Sequence, residues 1–62
     1  MPTPRQTEVL NLVVKGFSNP EIADILGITA RTVKAHCKAL FAEYKVANRV
    51  QLIVEVNDGQ RS

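Results

Sequence analysis

Lys34 and Lys38 stand four residues apart, with Arg31 just before them and Ala35 and Ala42 among and after them. Spacings of three and four bring side chains onto one face of a helix, so these residues form a single basic strip if residues 30 to 44 are helical. On a wheel of roughly 100° per residue, Val33, Cys37, Leu40, Phe41 and Tyr44 gather on the opposite side as a core stripe. Long cations separated by small side chains suit a helix that seats deeply in a groove of a polyanion, where ammonium groups donate to phosphates or base edges. The single acid of the segment, Glu43, lies off the strip. The plain alternative is an ordinary solvated face on a core helix.

Other chemistries find few residues to carry them. His36 and Cys37 are the only histidine and the only cysteine. As neighbours on a helix they point about 100° apart, which suits neither a chelate nor a nucleophile–base pair. Gly16, Gly27 and Gly59 are isolated, so no glycine-rich phosphate loop is present. No catalytic residue, metal site or cofactor site is expected, and the chain is not expected to be an enzyme.

A chain of 62 residues makes one domain with a thin margin of stability. Its 45% hydrophobic and 23% charged residues are those of a soluble globular domain, and one cysteine excludes a disulfide scaffold. Cys37 is expected as a reduced thiol in the cytoplasm. No apolar run approaches a membrane span, and "MPTPRQTE" lacks the apolar stretch of a signal peptide. The net charge of +2 is unevenly placed: residues 1 to 28 carry −1, residues 29 to 45 carry +3, and residues 46 to 62 are balanced. The excess falls on the segment that holds the strip.

The elements that must position that strip have local signatures. Thr3, Pro4 and Gln6 spell the start of a first helix, which runs to about Lys15 and stops at Gly16, with Phe17 folding back over its end. Ser18 with Glu21 opens a second, and Ile22, Ala23, Ile25 and Leu26 are expected as its buried stripe. Gly27 supplies a left-handed turn, Ile28 plugs the gap, and Thr29 caps a third helix over about residues 30 to 44. Together these read as a helix-turn-helix. Asn48 and Gln51 open a fourth helix, "RVQLIVEV", in which Leu52, Ile53 and Val56 form one stripe while Val50 and Val54 point elsewhere, as toward a partner. The core is expected over about residues 3 to 56, with residues 57 to 62 a frayed polar tail. The fold class is all-α, four helices around a central helix-turn-helix.

"TPRQTEVLNLVVKGFSNPEIADILGI", then "TVKAH", then "V" and "NR" before the last apolar helix resemble the LuxR/GerE-type helix-turn-helix family of bacterial transcription regulators, over nearly the whole chain. The resemblance implies sequence-specific binding of double-stranded DNA by the C-terminal output domain of a response regulator or ligand-sensing regulator, or by a stand-alone small regulator. It implies that the third helix enters the major groove and that the fourth pairs two copies on an inverted repeat. Carried over by position, Lys34, Ala35 and Lys38 face base edges. Thr32 and His36 lie near the DNA backbone, and Arg31, Thr29, Ser18 and Asn48 are further candidates for backbone contact. Val50 and Val54, with Gln51, lie at the dimer interface. RNA polymerase is a further candidate partner. Lys45 stands where the family often has glycine, so a left-handed lysine there is expected to cost roughly 1 kcal/mol.

Two rival readings have their own signatures. The promoter-reading fourth region of a sigma factor resembles the chain through the turn, but it usually continues as a basic stretch, whereas "ALFAEYKVANRVQLIVEV" breaks at Lys45–Val46 and restarts as an apolar helix. A helical protein-interaction module would bind no nucleic acid. Salt-dependent binding of duplex DNA separates it from the other two.

Overall fold

Four helices follow one another in a computed structural model that describes the backbone of residues 2–61 and the side chains of residues 2–59. They are α1 (Pro4–Val14), α2 (Asn19–Leu26), α3 (Ala30–Tyr44) and α4 (Arg49–Arg61), with no strand among the described residues. The fold is the all-α architecture expected from the sequence, with α2, the turn and α3 as its helix-turn-helix.

Each helix starts on a side-chain oxygen that accepts an otherwise orphaned amide of its first turn. Thr3 and Gln6 close a reciprocal box, the Gln6 amide donating to Thr3 Oγ1 (3.2 Å) and the Thr3 amide to Gln6 Oε1 (3.1 Å). Ser18 and Glu21 repeat it at 3.3 and 2.8 Å. Thr29 Oγ1 accepts from the Thr32 amide at 3.1 Å, and Asn48 Oδ1 from the Gln51 amide at 2.9 Å. Gln51 Oε1 in turn accepts from the Ala47 amide, one residue ahead of the cap.

The exits are equally regular. After α1, Gly16 takes φ 96°, the Gly16 amide donates to the Val13 carbonyl (3.0 Å) and the Phe17 amide to the Leu12 carbonyl (3.1 Å). This is the paired-bond reversal that a left-handed residue permits. Lys45 adopts φ 57° and ψ 43° after α3, with the Lys45 amide on the Ala42 carbonyl (3.3 Å) and the Val46 amide on the Phe41 carbonyl (2.9 Å). Between α2 and α3, Gly27 at φ 68° and ψ 34° lets the Ile28 amide return to the Ala23 carbonyl (3.0 Å), reversing the chain within three residues before Thr29 caps α3.

The core consists of Val9, Leu10, Val13, Ile22, Ala23, Val33, Cys37, Leu40 and Leu52, and no polar or charged residue is buried with them among the described residues. α3 is the central element, packed against α1, α2 and α4. α4 rests on α1 and α3, and the backbones of α2 and α4 stay apart. One expectation is corrected. Ile25 is 52% exposed rather than part of the α2 stripe. Ile22, Ala23 and Leu26 define the inward arc of that short helix, and Ile25 lies about 100° from its centre, so helical spacing to Ile22 alone does not bring it inside. α4 runs past Val56 to Arg61, and Ser62 lies outside the described residues.

Candidate nucleic-acid interface

α3 presents its strip as the sequence predicts. Arg31, Lys34, Ala35, Lys38 and Ala42 are all exposed, while Val33, Cys37 and Leu40 on the opposite side are buried. Among the described residues the side chains of Arg31, Lys34 and Lys38 make no hydrogen bond or ion pair; the Arg5–Glu8 pair at 3.3 Å is on α1. Three cations on one helix face therefore keep their donors for an external acceptor. Nothing bulky stands between them, because Ala35 ends at its Cβ.

The residues assigned to the DNA backbone fall into two groups. Ser18, Thr29 and Asn48 are helix caps, and each has its side-chain oxygen engaged with an amide of its own helix. The Ser18 hydroxyl that accepts at its oxygen still has its proton to donate, the Asn48 amide group keeps two, and the Thr29–Thr32 hydroxyl pair keeps one, so capping and phosphate contact are compatible. Thr32 shares a 2.9 Å hydroxyl contact with Thr29 at the start of α3, next to exposed Arg31. His36 is half-buried, at the border between the strip and the core. On α4, Val50 is 70% and Val54 52% exposed, whereas Leu52 between them is fully buried. Gln51 is exposed, with its side chain folded onto the Ala47 amide.

A polar cluster behind α3 was not legible from local spacing. Arg49, the first residue of α4, donates from Nη1 to Asn19 Oδ1 at 2.7 Å and from Nη2 to the Phe17 carbonyl. The buried Cys37 thiol of α3 points at the same Asn19 oxygen, 3.8 Å away. Burial pushes the thiol pKa up, and the Arg49 charge partly opposes that shift. The residues are separated by 18 and 30 positions, so no periodicity could pair them. The one available signal was the basic Arg49 opening an otherwise apolar helix.

A family model described as bacterial regulatory proteins of the luxR family matches residues 3–56. The chain belongs to that family. Its helix-turn-helix is accordingly a DNA-binding domain of transcription regulation, the same assignment that the sequence motifs supported. The luxR-family domain is 41% identical over 54 residues to the response regulator protein VraR of Staphylococcus aureus, and matches its counterparts in Staphylococcus epidermidis and Staphylococcus saprophyticus equally well. Each match covers 87% of this chain and 26% of the relative, so the chain spans about a quarter of the length of these curated relatives.

A groove of about 340 Å³ is lined by Leu10, Asn11, Tyr44, Glu55, Val56 and Gly59, from α1, the end of α3 and α4. None of the strip residues lines it. No helix among the described residues is long and apolar enough to cross a membrane.

Proposed function

We propose that this domain reads a specific sequence of double-stranded DNA with α3 in the major groove, and that it pairs through α4 on an inverted repeat. Lys34 and Lys38 donate to acceptor atoms on base edges, and Ala35 contacts a thymine methyl. Arg31, Thr32, Thr29, His36, Ser18 and Asn48 bind the flanking phosphates and fix the register. Val50, Gln51 and Val54 meet their symmetry mates at the two-fold axis. The domain serves as the output module of a bacterial regulator in the cytoplasm, with RNA polymerase as a further partner and no catalytic step of its own. The likeness to a response regulator supports the reading of this domain as the output module of a regulator.

The observation that carries this reading is the row of exposed cations on α3, which has no acceptor within the described fold. The test begins with selection of bound sites from a random duplex pool. Lys34→Ala and Lys38→Ala are each expected to weaken the selected site by about 1–3 kcal/mol, with sequence preference relaxed at the contacted base pair. Helical content should not change. Equal loss on selected and random DNA would reassign the two lysines to phosphates, and salt-independent binding would remove the nucleic-acid reading altogether.

A further inference from the structure

Two kinds of contact among the described residues tie α4 to the rest of the domain. Leu52 is fully buried, and Ile53 and Val56 pack half-buried beside it. Apolar burial is non-directional, so it keeps α4 against α1 and α3 but resists a tilt of the helix only weakly. Arg49 supplies a directional contact. Its planar guanidinium donates from two different nitrogens to two fixed acceptors, the Phe17 carbonyl in the reversal after α1 and Asn19 Oδ1 at the first residue of α2. The backbones of α2 and α4 stay apart, so this fork bridges two helices across that gap. Asn19 extends the bridge to α3 through the Cys37 thiol. The helix that reads DNA and the helix that pairs two copies thus meet at one amide oxygen.

We infer that Arg49 is a positioning residue that fixes the angle between α4 and the helix-turn-helix, and thereby selects the spacing between the two half-sites of the DNA target. This inference rests on the reading of α4 as the pairing helix. Half-sites one turn apart lie about 34 Å centre to centre, so each α3 sits roughly 17 Å from the two-fold axis. A tilt of roughly 10° between α4 and α3 moves a reading helix by about 3 Å, close to the rise of one base pair. A small change at the fork therefore becomes a whole step of register on DNA. Lysine cannot replace arginine here, because one ammonium on a flexible stem lacks the planar two-nitrogen fork.

The test uses the 62-residue chain and a selected half-site placed in labelled duplexes, first alone and then as inverted repeats whose spacer grows one base pair at a time. The wild-type chain should bind its best spacer at least tenfold more tightly than spacers one base pair longer or shorter. Arg49→Lys should reduce that ratio to below threefold while leaving affinity for the lone half-site within twofold. Asn19→Ala, which removes the acceptor on α2 and keeps Arg49 on the Phe17 carbonyl, should flatten the preference as well. It provides the reading if circular dichroism shows that Arg49→Lys has lost its helices. Wild-type discrimination retained by the folded variants would overturn the inference. So would a parallel loss on the lone half-site, which would make Arg49 a residue of the fold only. A wild-type chain that binds the half-site yet treats all spacers alike would instead overturn pairing through α4, and the inference with it.

Discussion

Lys45 sits at φ 57° in the reversal after α3, a conformation that Gly16 and Gly27 reach without a side chain in the other two reversals. An L-residue held there carries about 1–2 kcal/mol of backbone strain. Glycine removes it, although its greater freedom in the unfolded chain offsets roughly 0.4–1 kcal/mol of the gain. Lys45→Gly should therefore stabilise the domain by about 0.5–1 kcal/mol, raising the thermal midpoint by roughly 3–6 °C. An unchanged or lower midpoint in a calorimetric scan would show that the lysine stem makes up the difference by packing. Glu21 offers a second test at this scale. Its carboxylate accepts the Ser18 backbone amide and receives help from the Ser18 side chain, so its pKa is held below the ordinary glutamate range. A depressed pKa in the folded state means stability that is present above the unfolded value and is lost as pH falls through the folded one. Glu21→Gln keeps an acceptor for the Ser18 amide and removes the titration. The variant should lose less thermal stability than the wild type between pH 6 and pH 3, and identical pH profiles would show that the box draws nothing from the charge.

The helix-turn-helix stands or falls at the scale of the element, on a turn of three residues. A Cβ added at Gly27 meets nothing within 4 Å, so substitution there causes no clash and acts through the backbone alone. Gly27→Val, β-branched at φ 68°, should destabilise by about 2 kcal/mol, and Gly27→Asn by distinctly less, since asparagine tolerates the left-handed region. Chemical denaturation of the two variants checks the order, and equal losses would show that something other than backbone conformation is at work. The same turn explains why so much of the fold was legible in the sequence. Caps and exits are local events, fixed by pairs three to five residues apart such as Ser18–Glu21 and Ala23–Ile28, and composition alone can announce them. The α3 strip was legible for a related reason: fifteen residues of regular helix turn spacing directly into direction. Ile25 was misread because two turns of helix give a periodicity without fixing the centre of its buried arc. The fork of Arg49 on Asn19 was illegible because its partners meet only after three helices have packed. Tertiary contact, with no local period, decides it.

At the scale of the whole molecule the question is whether this small domain pairs on DNA as proposed. Val50 and Val54 lie exposed on α4 while Leu52 anchors it, so the surface assigned to pairing is structurally separate from the core. Two short helices bury much less than the roughly 1,200 Å² of a typical stable interface. The isolated domain should therefore be a monomer in dilute solution and pair on DNA, where adjacent half-sites hold two copies at high effective concentration. Val54→Asp tests this division of labour. Val54 is 52% exposed, so a carboxylate there stays solvated in the monomer, and both thermal midpoint and affinity for a single half-site should remain near wild type. On an inverted repeat the same carboxylate must lose its water and face its symmetry mate, two like charges across one axis. Binding to the full repeat should fall at least tenfold, and its cooperativity should disappear. Titration of half-site and full-repeat duplexes separates the possible results. A drop in the thermal midpoint would assign Val54 to the core. Unchanged cooperativity with an intact fold would place the pairing surface on a helix other than α4.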